Sequence, residues 1–391
     1  MRHRHYAFFW CPEVISSVGH FINEVALYWL VYEITGSALA LGILGLCEAG
    51  PRLILGPVAG VLVDRYDRLR LLIFVYFCSS IPTFTLVAFY FAGTLQYWHI
   101  LALMLLWAII RSINPSAAQS LIRELVPDDE LMNAVSLYTV GFNIARVTGP
   151  SFGGVLILWI GAGGCFLLYS LALVVSGAGL LLIRIPQREI KSRGVSFATE
   201  LREGVQYVWH APVILSGVLA ASVISVFVGT YQRFLPIFAK EVLAVGPEGL
   251  GLMMAAPGLG AILCLTILAS IGETWRQETL LWVTATLTPL FLITFCLSSS
   301  FTLSVLLLIL VGGAQITFRT VSRVIIQMRV PTHLLGRVIS VFLMDQGMRS
   351  VGSMVIGAAA SLFGATMGLS LTSVVCLAVT SVLFYRLLGR D

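Results

Sequence analysis

The sequence predicts an all-α membrane protein with twelve transmembrane helices in two pseudo-symmetric six-helix halves, and three observations carry that reading. Of 391 residues, 58% are hydrophobic and 11% are charged, where a soluble domain carries roughly 25% charged residues. Apolar runs of the ~20 residues that a spanning helix needs recur along the whole chain. Pro127, Ser136 and Gly153 recur as Pro331, Ser340 and Gly357, always at the same offset, which is the mark of an internal repeat. An ordinary water-soluble enzyme is excluded by the first observation alone.

The elements follow in order. Arg2 and Arg4 precede an apolar run far longer than a signal-peptide core and without a small-residue cleavage site, so it is expected to stay as the first span. The first six spans are expected at Phe8–Tyr32, Ala38–Val63, Leu69–Ala92, Tyr97–Ile122, Met132–Trp159 and Gly164–Ile183. The second six are expected at Ala211–Phe238, Glu248–Ser270, Glu278–Ser298, Phe301–Met328, Leu334–Phe363 and Thr366–Tyr385. The halves are residues 1–185 and 211–391, joined by a cytoplasmic linker at 186–210. Within the linker, Phe197, Leu201, Val205 and Val208 stand at helical spacing against Glu200, Arg202 and Glu203, the pattern of an amphipathic helix lying along the membrane surface.

Orientation comes from basic residues in the connections. Arg65, Arg68, Arg70, Arg123, the run from Arg184 to Arg193, Arg276, Arg329 and Arg337 fall on one side, and Lys240 alone falls on the other. By the positive-inside rule the first side is cytoplasmic, and both termini lie there. These loops account for the net charge of +5 without any nucleic-acid partner. The seven cysteines lie in apolar runs with no C-x-x-C or Cys/His spacing, so they read as small apolar residues. No cofactor or metal ligand set is expected. No G-x-x-x-x-G-K-[ST], H-E-x-x-H or G-x-S-x-G motif appears, which leaves ATP-driven transport and hydrolase chemistry without their residues.

A charge at mid-bilayer costs at least about 2.5–3.5 kcal/mol, so helices carrying one are expected to face a cavity or a partner. The third, sixth, eighth, ninth and twelfth spans lack deep ionisable residues and are free to face lipid. Deep arginines (Arg52, Arg111, Arg146, Arg319, Arg349, with Arg233 and Arg323 nearer span ends) outnumber deep acids (Glu13, Glu24, Glu48, Asp345), which favours an anionic or carboxylate-bearing ligand. On the first span Glu13, Ser16, Ser17, His20, Asn23 and Glu24 form one polar stripe at spacings of three and four. Glu48 stands four residues before Arg52 and Asp345 four before Arg349, so each is placed for an intrahelical salt bridge. The candidate proton carriers, in order, are Glu24, Asp345, His20 and Glu48. Candidate substrate contacts are Asn23, Arg52, Arg111, Asn114, Asn143, Arg146, Tyr231, Gln315, Arg319, Gln346 and Arg349.

Two motifs give a family resemblance. Gly60-Val-Leu-Val-Asp64-Arg65-Tyr-Asp-Arg68-Leu-Arg70 resembles the loop signature G-x-x-x-D-R-x-G-R-[RK] of the major facilitator superfamily, with Asp67 in place of the second glycine. Ala145-Arg-Val-Thr-Gly149-Pro150-Ser-Phe-Gly153-Gly154 is similar to that superfamily's antiporter signature G-x-x-x-G-P-x-x-G-G. Longer stretches, Val25 to Gly42, Leu125 to Ala134 and Val330 to Ser340, look like the bacterial branch that includes enterobactin exporters and macrolide efflux pumps. The resemblance covers nearly the whole chain. It implies a substrate site between the halves near the midplane, a gate in which Asp64 meets the region of Gly336-Arg337, and an arginine, Arg65 or Arg68, reaching Glu124. It further implies a monomeric, proton-coupled exporter of a small amphipathic or anionic molecule (a siderophore, drug or secondary metabolite) in the bacterial inner membrane, with protons and membrane lipids as its other partners. An importer or lysolipid flippase of the same fold, or a non-transporting receptor, stays open from sequence.

Overall fold

The computed structural model describes residues 2–127, 129–183, 197–271 and 277–388. Among them the regular structure is helical throughout. In chain order the helices are α1 (Arg2–Thr35), α2 (Ala38–Arg65), α3 (Arg68–Phe91), α4 (Tyr97–Arg111), α5 (Asn114–Leu125), α6 (Leu131–Leu180), α7 (Phe197–His210), α8 (Pro212–Phe227), α9 (Leu235–Ile237), α10 (Pro247–Ile271), α11 (Gln277–Leu297), α12 (Phe301–Arg329), α13 (Thr332–Leu343), α14 (Asp345–Phe363) and α15 (Ala365–Leu388). Ten of the helical stretches are long and apolar enough to cross a membrane, and Gly347–Phe363 is a shorter apolar helix. The 50-residue α6 is two expected spans in one, joined at Gly161, whose φ of 68° only glycine adopts without strain. With α6 divided there, the architecture is consistent with the twelve spans expected.

Three spans are not the continuous rods that hydropathy alone suggests. The fourth breaks between α4 and α5 at Ser112 and Ile113. Pro115, at the start of α5, has no N–H to donate and disfavours helix in the residue before it. The expected span Ala211–Phe238 ends as an α-helix at Phe227 and continues through a 3-10 turn (Tyr231–Phe234), the single turn α9 and a π turn (Phe238–Val242). The eleventh is interrupted at Met344, between α13 and α14. Hydropathy averages over a window, so it registers the apolar length and misses a local break.

The amphipathic segment does form a helix, α7, and it packs on α13. The preceding linker residues, 184–196, lie outside the described residues, as do Glu273 and Arg276.

The chain divides into two compact units. The first gathers Met1–Gly36, Gly50–Arg193 and Gly246–Ala255; the second gathers Ser37–Ala49, Gly194–Val245 and Ala256–Asp391. The division runs through α2 and through α10. Within the first unit α1 lies along α6. Tyr6 donates its hydroxyl to the Ala134 carbonyl (2.7 Å), the Trp10 indole N–H donates to the Leu137 carbonyl (2.9 Å) and Ser176 donates to the Pro12 carbonyl (2.7 Å). Within the second, α11 packs on α12 and α15, and α14 packs on α8 and α15.

Candidate functional site

The polar stripe of α1 faces a buried cluster inside the first unit. Glu13 is 5% exposed, and its Oε1 accepts a hydrogen bond from the Tyr76 hydroxyl at 2.6 Å. Arg111, the last residue of α4, lays its guanidinium over the Tyr76 ring at 5.4 Å and over the Trp107 ring at 5.9 Å. Its charge acts on Glu13 without a contact ion pair. Trp107 in turn stacks on His20, 5.4 Å between centroids and 17° between planes, and donates its indole N–H to the Tyr169 hydroxyl at 3.2 Å. The break after Arg111 leaves Asn114 buried at the start of α5.

This cluster holds more polar capacity than it uses. His20 Nδ1, Asn23 Oδ1, Ser79 Oγ and Arg111 Nη1 are buried and have no hydrogen-bond partner among the described residues, while the side chains of Asn114 and Ser16 lie beside Glu13 and Tyr76. An unsatisfied buried polar group costs roughly 1–3 kcal/mol. Four of them in one cluster make sense where water, as a hydrogen-bonding guest, meets them. Glu24, one turn beyond His20, accepts from the Tyr28 hydroxyl at 2.8 Å.

The second unit treats its acids differently. Asp345, 3% exposed, is gripped by Arg319, whose Nη2 reaches both carboxylate oxygens at 2.8 and 2.5 Å, and the Ser225 hydroxyl donates to it at 2.9 Å. Glu48 accepts from Arg233 Nε at 3.2 Å and Nη2 at 3.0 Å, while Arg233 Nη1 donates to Ser353 at 2.8 Å. Both acids therefore take a partner that intrahelical spacing does not suggest. The cation gripping Asp345 is Arg319, and the bonds gripping Glu48 come from Arg233, far along the chain.

At the loop signature, Arg68 is paired with Glu124, while Arg65 is exposed. Asp67 accounts for the departure from the usual glycine: it caps α3, its carboxylate accepting the Arg70 backbone N–H at 2.8 Å. Gly60 and Asp64 lie within α2, but the Asp64 side chain is outside the description, as is that of Gln346 in α14. Arg337, which the resemblance sets toward Asp64, pairs with Glu203 of α7. Arg329 pairs with Glu278.

The antiporter signature is a close-approach surface. A Cβ on Gly149 would stand 2.5 Å from Phe21 Cβ, and one on Gly153 3.1 Å from Ile22 Cα, both on α1. On Gly154 it would collide with the Pro247 carbonyl oxygen, at the start of α10. Pro150 is buried on the same face. Glycine is required where backbones come this near. Gly42 and Gly357 meet similarly, a Cβ on Gly357 falling 2.9 Å from Gly42 Cα.

Of the remaining candidates, Asn143 is turned onto its own helix, donating to the Thr139 carbonyl at 2.9 Å. Arg146, Gln315 and Arg349 are half-buried, Tyr231 is buried on the 3-10 turn and Arg52 is exposed. Sequence reasoning left out two partners, Tyr76 and Arg233's ties to Glu48 and Ser353. The signal for the first was present: Tyr76, Ser79, Ser80 and Thr83 recur on one face of the third span, and all are buried. A span without deep ionisable residues reads as lipid-facing, and a hydroxyl face escapes that criterion.

The family model described as a transmembrane secretion effector matches residues 1–389. The chain is 23% identical over 385 residues to the staphyloferrin A transporter of Staphylococcus aureus, covering 97% of this chain and 95% of that protein. It is 22% identical over 342 residues to macrolide efflux protein A of Streptococcus pyogenes, covering 85% of this chain and 83% of that protein. Among solved structures it superposes on a bacterial homologue of the human lysosomal transporter Spinster, inward-facing and unoccupied, with a TM-score of 0.75 at 15% identity, covering 97% of this chain and 96% of that one.

Proposed function

Because the chain belongs to the transmembrane secretion effector family of the major facilitator superfamily, we propose that it exports a small amphipathic or anionic organic molecule in exchange for protons. It is a multi-pass membrane transporter and not an enzyme. The proposed setting is the bacterial cytoplasmic membrane with both termini inside, and the proposed cycle is alternating access between halves 1–185 and 211–391.

One observation carries the proton-coupled reading: the buried carboxyl group of Glu13 meets a hydroxyl, that of Tyr76, at 2.6 Å, and no cation at contact distance among the described residues. A carboxylate locked to a guanidinium stays ionised, because its protonation would strand a buried cation. Asp345 and Glu48 are in that position. Glu13 can bind and release a proton while keeping a hydrogen bond in either state, since a hydroxyl both donates and accepts. Its protonation leaves the nearby Arg111 charge unbalanced, so proton occupancy alters the electrostatics of the whole cluster. Such a change is what a conformational equilibrium needs to respond to a gradient. His20, Asn23 and Glu24 continue the stripe from Glu13 and are assigned as relay groups. Export over import is supported by the packed antiporter signature and by relatives named for efflux.

The test is accumulation of cationic dyes, macrolides, tetracyclines and catecholate siderophores in a pump-deficient bacterium expressing the protein, each with and without a protonophore. Lower accumulation of at least one compound, lost with the protonophore and in Glu13→Gln, is expected. Lower accumulation indifferent to the protonophore sinks the coupling. Accumulation raised by the gradient makes the protein an importer.

A further inference from the structure

The second unit contains two guanidinium–carboxylate pairs, and their unused capacity differs. Arg233 commits all three of its nitrogens, Nε and Nη2 to Glu48 and Nη1 to Ser353. Arg319 commits one nitrogen: Nη2 alone meets Asp345. Its Nε and Nη1 donate to no group among the described residues, and neither is among the buried polar atoms left without a partner. They therefore reach open space. The side chain of Arg319 is 24% exposed while that of Asp345 is 2% exposed, so the pair has one sealed end and one open end.

Arg319 lies ten residues before the end of α12, about 15 Å at the helical rise of 1.5 Å per residue. Guanidinium donors open to hydrocarbon at such depth would be costly, so the open edge belongs to a hydrated space. Asp345 stands where the expected eleventh span breaks, at the first residue of α14, and Ser225 of α8 fixes it from the other side. The acid is thus a rigid post that holds the guanidinium plane. One turn away along α12 on either side are Gln315, half-buried with an amide to offer, and Arg323, exposed with a second positive charge.

We propose that the open edge of Arg319, with Gln315 and Arg323 beside it, is the anchor for a carboxylate group on the exported molecule. This rests on the transport reading above and adds the substrate class. Carboxylate is the natural partner because guanidinium N–H donors match its two oxygens in geometry and charge. Asp345 offsets part of the positive charge, so the anchor holds a carboxylate in place without trapping it, as a transporter requires.

The decisive substitution is Arg319→Lys. An ammonium keeps the pair with Asp345 but is a point charge without a second planar edge. Purified protein would be assayed by isothermal titration with matched pairs of probes, salicylate against salicylamide and citrate against trimethyl citrate. The wild type is expected to bind at least one acid tenfold or more tighter than its uncharged partner. Arg319→Lys is expected to unfold at the wild-type temperature and to lose most of that discrimination, while Arg323→Gln loses a smaller share. Absence of discrimination in the wild type, or its persistence in Arg319→Lys, overturns the proposal. Because binding is measured without a gradient, it separates the two claims. Discrimination without gradient-driven efflux leaves the anchor standing and removes the exporter reading; efflux without discrimination does the reverse.

Discussion

Glu13 in the first unit and Asp345 in the second are both almost fully buried, yet their surroundings ask opposite things of them. Asp345 is held by a guanidinium on both oxygens and by a serine hydroxyl; Glu13 is held by a phenol beside the Asn114 amide, with no cation at contact distance among the described residues. A buried acid facing a cation is a fixed charge, and removing either partner leaves the other stranded. A buried acid facing a hydroxyl is a variable one. The difference separates a group that sets geometry from a group that changes state during a cycle.

That contrast yields predictions in decreasing order of effect. Glu13→Gln keeps shape and a hydrogen bond to Tyr76 but cannot cycle a proton, so gradient-driven efflux should fall by two orders of magnitude with membrane level unchanged. An efflux loss of that size in Glu24→Gln, with Glu13→Gln near normal, would transfer the role one turn along the stripe. Gly154→Val places a Cβ against the Pro247 carbonyl oxygen and should cut transport by about an order of magnitude in protein that still inserts, read by efflux beside immunoblot level. Glu48→Gln strands Arg233 and belongs to the fixed class, with a stability cost of about 3 kcal/mol seen as a lower unfolding temperature in detergent. Tyr76→Phe should slow efflux several-fold and displace its pH profile without a comparable loss of stability. At the loop signature, Arg68→Ala should reduce transport a few-fold through loss of Glu124, whereas the exposed Arg65→Ala should change it little.

Much of the fold was legible because a bilayer imposes one strong rule, that apolar length must match its thickness. The family assignment was equally legible, since the glycine and proline signatures occupy places where backbones nearly touch and substitution is unforgiving. What escaped was local. The breaks after Arg111, Phe227 and Leu343 depend on proline, 3-10 and π geometry that a hydropathy window averages away. Ion pairs escaped because spacing along one helix identifies neighbours at i+4, while the strong partners of Glu48 and Asp345 come from other helices. Glu13 was visible as a member of the stripe, but its position was not, because what distinguishes it is a tyrosine on a helix whose only charges stand at its first turn.

The most direct measurement is infrared spectroscopy of the purified protein across pH, following the carboxylic-acid carbonyl band that marks a protonated, buried acid. A band that grows on acidification in the wild type, vanishes in Glu13→Gln and persists in Asp345→Asn and Glu24→Gln is the predicted result. A band unchanged in Glu13→Gln would contradict the assignment of the proton to this residue.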